Sequence, residues 1–264
     1  MKLLNSKVLL IMFVLFSGLG YVISCTRDND TIVPIEITQP FVATRGNHVH
    51  LPGTMTTGDT TQWKLDKVHS SVLWSGAYIG AAGLLTGRFN QFGMHDVTPD
   101  KMQKYAATGQ PLPDTSWVFD ESDPSKTYIN GYVQINTSNT GEPGRDAGCN
   151  IGNLGTVPIV PGTQNLTDTN LAQIKSTHVE FDPESNGYLV RLNLTWRGKL
   201  TATHTEEVLG KLTYVPQATP TGATTYSVFG LQLTFQFDKS DFGITSTSVG
   251  DNISIECNMN FNNK

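Results

Sequence analysis

VFGLQLTFQFDKSDFGITSTSVGDNISIECNMNF, residues Val228 to Phe261, holds two runs of strict alternation. In the first, Phe229, Leu231, Leu233, Phe235 and Phe237 take every second place, with Gly230, Gln232, Thr234, Gln236 and Asp238 between them. In the second, Ile253, Ile255, Cys257, Met259 and Phe261 alternate with Asn252, Ser254, Glu256, Asn258 and Asn260. A period of two sustained over this length predicts two β-strands, each with one dry and one wet face. Lys239-Ser240-Asp241-Phe242-Gly243-Ile244 predicts the turn between them, with Asp241 fixing it through its side chain. The dry faces need a cover. That cover is either a packed core or a hollow for an apolar ligand, and alternation leaves both open.

Working outward, the same signal recurs. Val190, Leu192, Leu194 and Trp196 share a face opposite Leu189, Arg191, Asn193 and Thr195, and Val72 and Trp74 share a face upstream. Leu200–Tyr214, Tyr226–Asp238, Leu85–Phe89, Trp117–Phe119 and Tyr128–Ile135 read as further strands. Gly76 to Gly83 is small and flexible and predicts a short helical or kinked crossing. Thr98-Pro99-Asp100, followed by K-M-Q-K-Y-A-A-T-G ending at Gly109, has a cap, an early Pro and a closing Gly, so a short helix is expected there. Thr137 to Asn170 is long, polar and rich in Gly and Pro, and is expected to be a lid or rim loop. The class is all-β.

Three motifs, in order along the chain, carry a resemblance. W-x-L-D-x-x-H-S-S-V-x-W followed by T-G-R-F begins at Trp63. I-K-S-T-H-V at Ile174 precedes L-N-L-T-W-R-G-K-L at Leu192. F-D-K-S-D-F-G-I followed by V-G-D-N-I-S-I comes last. Together they resemble the YceI-like proteins over about residues 61 to 261. The resemblance implies an antiparallel lipocalin-like β-barrel of about eight strands, with one or two short helices and a long loop. It also implies that the lumen binds a long amphiphile such as a polyisoprenoid, an isoprenoid quinone or a fatty-acid-like chain. Arg145-Asp146 after Thr140-Gly141 is similar to a family feature, whereas the aromatic segment that usually follows is replaced by C-N-I-G-N-L-G-T-V-P.

The N-terminus reads as an export signal: Lys2 and Lys7 precede the uncharged run Val8 to Val22, then Ile23-Ser24-Cys25. Val22 to Cys25 resembles a lipobox, so residues 1–24 are expected to be a signal peptide and Cys25 the lipidated first residue. Residues 25–60, without periodicity, are expected to be a tether, and 61–264 the barrel domain. Arg27-Asp28-Asn29-Asp30 is similar to acidic surface-export signals of lipoproteins. The expected location is membrane-anchored, in the periplasm or on the surface of a Gram-negative cell; an uncleaved anchor helix is the alternative. Losing Lys2 and Lys7 and no acid takes the formal charge from −5 to −7. A mildly acidic chain without a basic cluster argues against nucleic acid as partner. A homodimer is among the assemblies open to it. Cys149 and Cys257 remain; their pairing depends on geometry the sequence does not supply.

Asp66, His69 and Ser70 carry the residue types of a catalytic triad, but all lie within five positions and no nucleophile elbow or phosphate loop is present. On an extended segment His69 and Ser70 point apart, so no catalytic residue is assigned and no enzyme is expected. His48 and His50, or His95, His178 and His204, do not make a metal site by sequence, and neither metal nor cofactor is expected. The leading expectation is non-catalytic lipid binding in a lumen lined by Val72, Trp74, Phe89, Val190, Leu192, Leu194, Trp196, Phe229, Leu231, Leu233, Phe235, Ile253, Ile255 and Met259. A structural or adhesive surface lipoprotein with a filled core is the alternative, because every one of these residues also suits a packed barrel.

Overall fold

The computed structural model describes residues 49–54, 58–78, 83–97, 117–148, 151, 167–219 and 225–264. The chain divides into Met1–Pro40 and Phe41–Lys264, and the described residues all belong to the second unit. In chain order its strands are β1 (His50–Pro52), β2 (Lys64–Leu65), β3 (Ser71–Tyr78), β4 (Gly83–Phe89), β5 (Phe92–Gly93), β6 (Val118–Asp120) and β7 (Asn130–Gln134). They continue with β8 (Ser138–Asn139), β9 (Leu171–Asp182), β10 (Gly187–Trp196), β11 (His204–Ala218), β12 (Val228–Asp238) and β13 (Val249–Asn262). The expected signal peptide, Cys25 and Cys149 lie outside the described residues, as does the expected helix from Thr98 to Gly109.

From β9 to β13 each strand pairs antiparallel with the next, and β13 then pairs with β3 and β3 with β4. Two broken strands complete the ring. The chain bends after β4 and resumes as β5, while β7 passes through a 3-10 turn at Ile135–Thr137 and resumes as β8. Arg88 and Phe89 pair with Asn139 and Ser138, and Phe92 and Gly93 pair with Val133 and Tyr132. Across the bend Asn90 N donates to Thr137 O at 3.1 Å and Gln134 N to Gln91 O at 2.9 Å. Since β7 also pairs with β9, the sheet has no free end at this seam. Counting β4–β5 and β7–β8 as one strand each, eight strands form an antiparallel, lipocalin-like barrel. Register carries the alternation around it: Leu233, Cys257, Val72 and Phe89 face inward in one hydrogen-bonded row.

Several expectations are corrected. Gly76 to Tyr78 continue β3 and Gly83 opens β4, pairing with Tyr78, so the expected crossing narrows to residues 79–82, which lie outside the described residues. The stretch expected as a loop from Thr137 begins with β8 and a short helix, Pro143–Gly148; residues 149–150 and 152–166 lie outside the description. The tether does not run to residue 60. His50–Pro52 pairs with β6, and Leu51 is buried, since it and Phe119 cover apolar surface on the barrel. In consequence Trp117–Phe119 serves a separate two-stranded ribbon instead of the barrel wall. Asp241 is exposed, and Asp251 holds the β12–β13 turn, accepting from Ser240 N at 2.9 Å and Ser240 Oγ at 2.7 Å.

The turn itself, Lys239–Phe242, packs Phe242 onto Trp196 and Phe237. Gly198 (φ 57°) lets the β10–β11 turn pass so close to the Phe242 carbonyl that a β-carbon there would overlap it. Lys199 N donates to that carbonyl at 2.9 Å. Glycine is required here for both the left-handed backbone and the space.

Candidate ligand-binding lumen

One end of the barrel is closed by stacked rings. Trp117 of the ribbon lies 4.3 Å from Phe261, and Phe229 stacks on Phe261 at 4.6 Å. Trp63 meets Phe229 edge-on at 4.8 Å, while Phe119 stacks on Tyr214 at 4.9 Å and meets Tyr188 at 5.3 Å. Backbone bonds pin the ribbon: Gly53 N donates to Trp117 O at 2.7 Å, Thr54 N to Trp63 O at 2.8 Å and Val118 N to Tyr128 O at 2.9 Å. Gly53 sits against the Trp117 indole where a β-carbon would overlap the ring. Such edge-to-face and offset pairs add to the burial of their area.

Above this floor the lumen holds a cavity of about 70 Å3. Its wall comes from all eight strands and includes Val72, Phe89, Phe92, Met94, Ile129, Val133, Ile135, Ile151, Ala172, Ile174, Leu194, Trp196, Leu212, Leu231, Leu233, Phe235, Phe237, Ile255, Cys257 and Met259. Among the described residues no charged side chain lines it. Asn130, a polar member of the wall, turns its amide to Tyr128 Oη at 2.7 Å. Most of the wall is fully buried, but the inward-facing Gly131, Val133 and Ile174 are only half buried, so the free space lies against β7 and β9.

The expected lining divides in two. Val72, Phe89, Leu194, Trp196, Leu231, Leu233, Phe235, Ile255 and Met259 line the cavity. Trp74, Val190, Leu192, Phe229 and Ile253 are buried but do not reach it. Phe229 belongs to the ring stack. Trp74 turns its indole to the seam, donating from Nε1 to Ser138 Oγ at 2.8 Å beneath the bare backbone of Gly87. Ile253 fills the space beside Gly76, Leu192 packs towards Gly210, and Val190 pairs between Val179 and Gly210. Gly131, Val133 and Ile174 were missed, as were Phe92, Met94, Ile129, Ile135, Ile151, Ala172, Leu212, Phe237 and Cys257. β7 is five residues long and has only two inward apolar places, too few for the alternation signal.

Cys257 is a free thiol in this wall, and burial, reinforced by the neighbouring Glu256 carboxylate, pushes its pKa up to about 12. A thiol so held stays neutral and is a poor nucleophile.

The Asp66–His69–Ser70 group folds differently from the extended segment expected. Lys67–His69 is a 3-10 turn capped by Asp66, whose Oδ1 accepts from Val68 N at 3.2 Å and His69 N at 3.3 Å. Asp66 Oδ2 lies 2.8 Å from His69 Nδ1, but Ser70 Oγ donates to Asp66 O at 2.7 Å and accepts from Asn260 N at 2.8 Å. The hydroxyl is therefore spent on backbone, tying the turn to β13. Of the other histidines, His50 Nδ1 lies 3.0 Å from Asp120 Oδ2, His95 packs edge-on to Tyr132, His178 lies beside Glu180 and His204 against Phe242. Among the described residues no three His, Cys, Asp or Glu side chains gather as a metal site. No described helix is long and apolar enough to cross a membrane.

An antiparallel barrel with a largely apolar lumen and an uncharged wall defines a lipocalin-like binding-protein architecture. The YceI-like domain profile matches residues 63–261, and the chain belongs to that family, a family of lipid-binding barrels. Among solved structures it is similar to BcnA of Burkholderia cenocepacia, at 14% identity and a TM-score of 0.42, covering 74% of this chain and 98% of that one. It is also similar to the YceI protein of Campylobacter jejuni, at 14% identity and a TM-score of 0.37, covering 68% and 85%. No curated protein matches the chain.

Proposed function

We propose that this protein binds the apolar chain of a long amphiphilic lipid inside its barrel, without catalysis, while held on a membrane by lipid at Cys25. The observation that carries the reading is the cavity wall, apolar but for Asn130 and Tyr132 and without a charge. Burial of apolar area at about 25 cal/mol per Å2 favours a hydrocarbon chain there over water. The head group stays outside, since the wall has nothing to pair with a charge. A polyisoprenoid, an isoprenoid quinone and a fatty-acid-like chain all satisfy these demands. With the cavity at about 70 Å3, less than the roughly 150 Å3 that accepts benzene in an engineered protein core, the chain enters by moving side chains. Met94 and Met259 are the adaptable members of the wall.

Extraction of the protein purified from its own cells with organic solvent, followed by mass spectrometry, tests the reading: one lipid per barrel is expected. The small cavity also favours a second reading, a surface lipoprotein whose core is merely filled. Absence of stoichiometric lipid, even after incubation with isoprenoids, quinones and fatty acids, would establish that one. Radiolabelled fatty acid incorporated by the full chain but not by Cys25→Ala tests the anchor.

A further inference from the structure

Resting on the lumen as the lipid site, we propose that the β1–β6 ribbon sets the length of chain the barrel accepts. Cavity and plug are contiguous. Leu231 and Met259, which line the cavity, are paired across β12 and β13, and one step along the same faces stand Phe229 and Phe261. Those two rings are held from outside the barrel wall: Trp117 lies on Phe261, Trp63 on Phe229. Trp63 and Trp117 belong to no strand of the eight-membered ring, so the barrel closes without them and their support of Phe229 and Phe261 is an addition to it. A chain that enters past β7 and β9 can extend only until its end meets Phe229 and Phe261. Rigid stacked rings yield less than methionines do. Each methylene added above the floor gains contact, and a methylene beyond it has nowhere to go.

The experiment titrates the full chain with n-alkyl maltosides of increasing chain length, below their micelle concentrations; the disaccharide is too large and polar to follow the chain. For the native protein, affinity rises about fourfold per methylene and then reaches a plateau. Trp117→Ala, which removes the support under Phe261, moves the plateau to longer chains. Leu231→Trp, which raises the floor into existing space, moves it to shorter ones and decides the matter should Trp117→Ala fail to fold. A plateau at the same length in the native protein and Leu231→Trp, or affinity that climbs without a plateau, overturns the ruler and leaves lipid binding standing. No binding by the native protein at any length overturns both.

Discussion

The indole of Trp117 rests on the ring of Phe261 with 4.3 Å between centroids, so a residue from a two-stranded ribbon bears on the last strand of the barrel. The contact joins parts of the chain 144 positions apart and is 2% exposed on one side and fully buried on the other. Trp117→Ala is therefore expected to lose about 3–5 kcal/mol of stability in denaturant unfolding, the usual cost of emptying a buried aromatic site. Trp117→Phe is expected to recover much of it.

Gly131 is where the barrel has room. A β-carbon there would stand 3.4 Å from Ile174 Cγ1, an ordinary contact. Gly131→Val is expected to keep the fold, with stability unchanged or raised by about 1 kcal/mol, because it fills free volume and suits a strand. It is expected to lower the lipid recovered by solvent extraction. Loss of lipid together with loss of the folded barrel would refute the placement of the free space.

The Cys257 thiol gives stability a pH dependence of defined sign. It keeps its proton to about 12 in the folded protein, against an ordinary value of 9.0 when unfolded. The folded state binds the extra proton between these values, so stability is full below about pH 9 and declines as pH rises towards 12, by about 1.4 kcal/mol per unit at most. Cys257→Val is expected to flatten that part of the curve. The native thiol is expected to resist maleimide until denaturant is added.

Gly198 and Gly243 hold the turns that meet at Phe242, both with left-handed backbone. Gly198→Ala brings a β-carbon onto the Phe242 carbonyl and is expected to cost more than the roughly 1 kcal/mol typical of a left-handed alanine. Gly243→Ala, whose β-carbon would stand 3.2 Å from Leu200, is expected to be the milder of the two in thermal unfolding.

The Asp66 cap separates structure from chemistry. Asp66→Ala is expected to cost about 1 kcal/mol by freeing two backbone N–H groups, and His69→Ala to stay within about 0.5 kcal/mol because that side chain is 72% exposed. Neither is expected to alter lipid content.

The long strands were legible because alternation is a local property. Phe229 to Phe237 and Ile253 to Phe261 point inward as their spacing demands, and pairing then carries that orientation around the barrel. What alternation does not contain is the neighbour across the lumen. Phe229 and Leu231 carry the same signal, yet one meets Trp63 and Trp117 and the other lines the cavity, a difference made by residues far away in sequence. Trp117 to Phe119 reads as a strand, and nothing in three residues says which sheet it joins. The seam was hidden by length, since β5 and β8 have two residues each and no period can be read from two.

That seam has a kinetic consequence. β12 and β13 pair along all 11 residues of β12, whereas β4–β5 meets β7–β8 through two pairs on each side of a bend. Cooperative opening starts where the fewest bonds must break together. Amide protons of Asn90 and Gln134, which bridge the seam, are therefore expected to exchange with solvent earlier than those in the middle of β12. A ring that unzips at one stitch can dilate and reseal while its other strands remain paired.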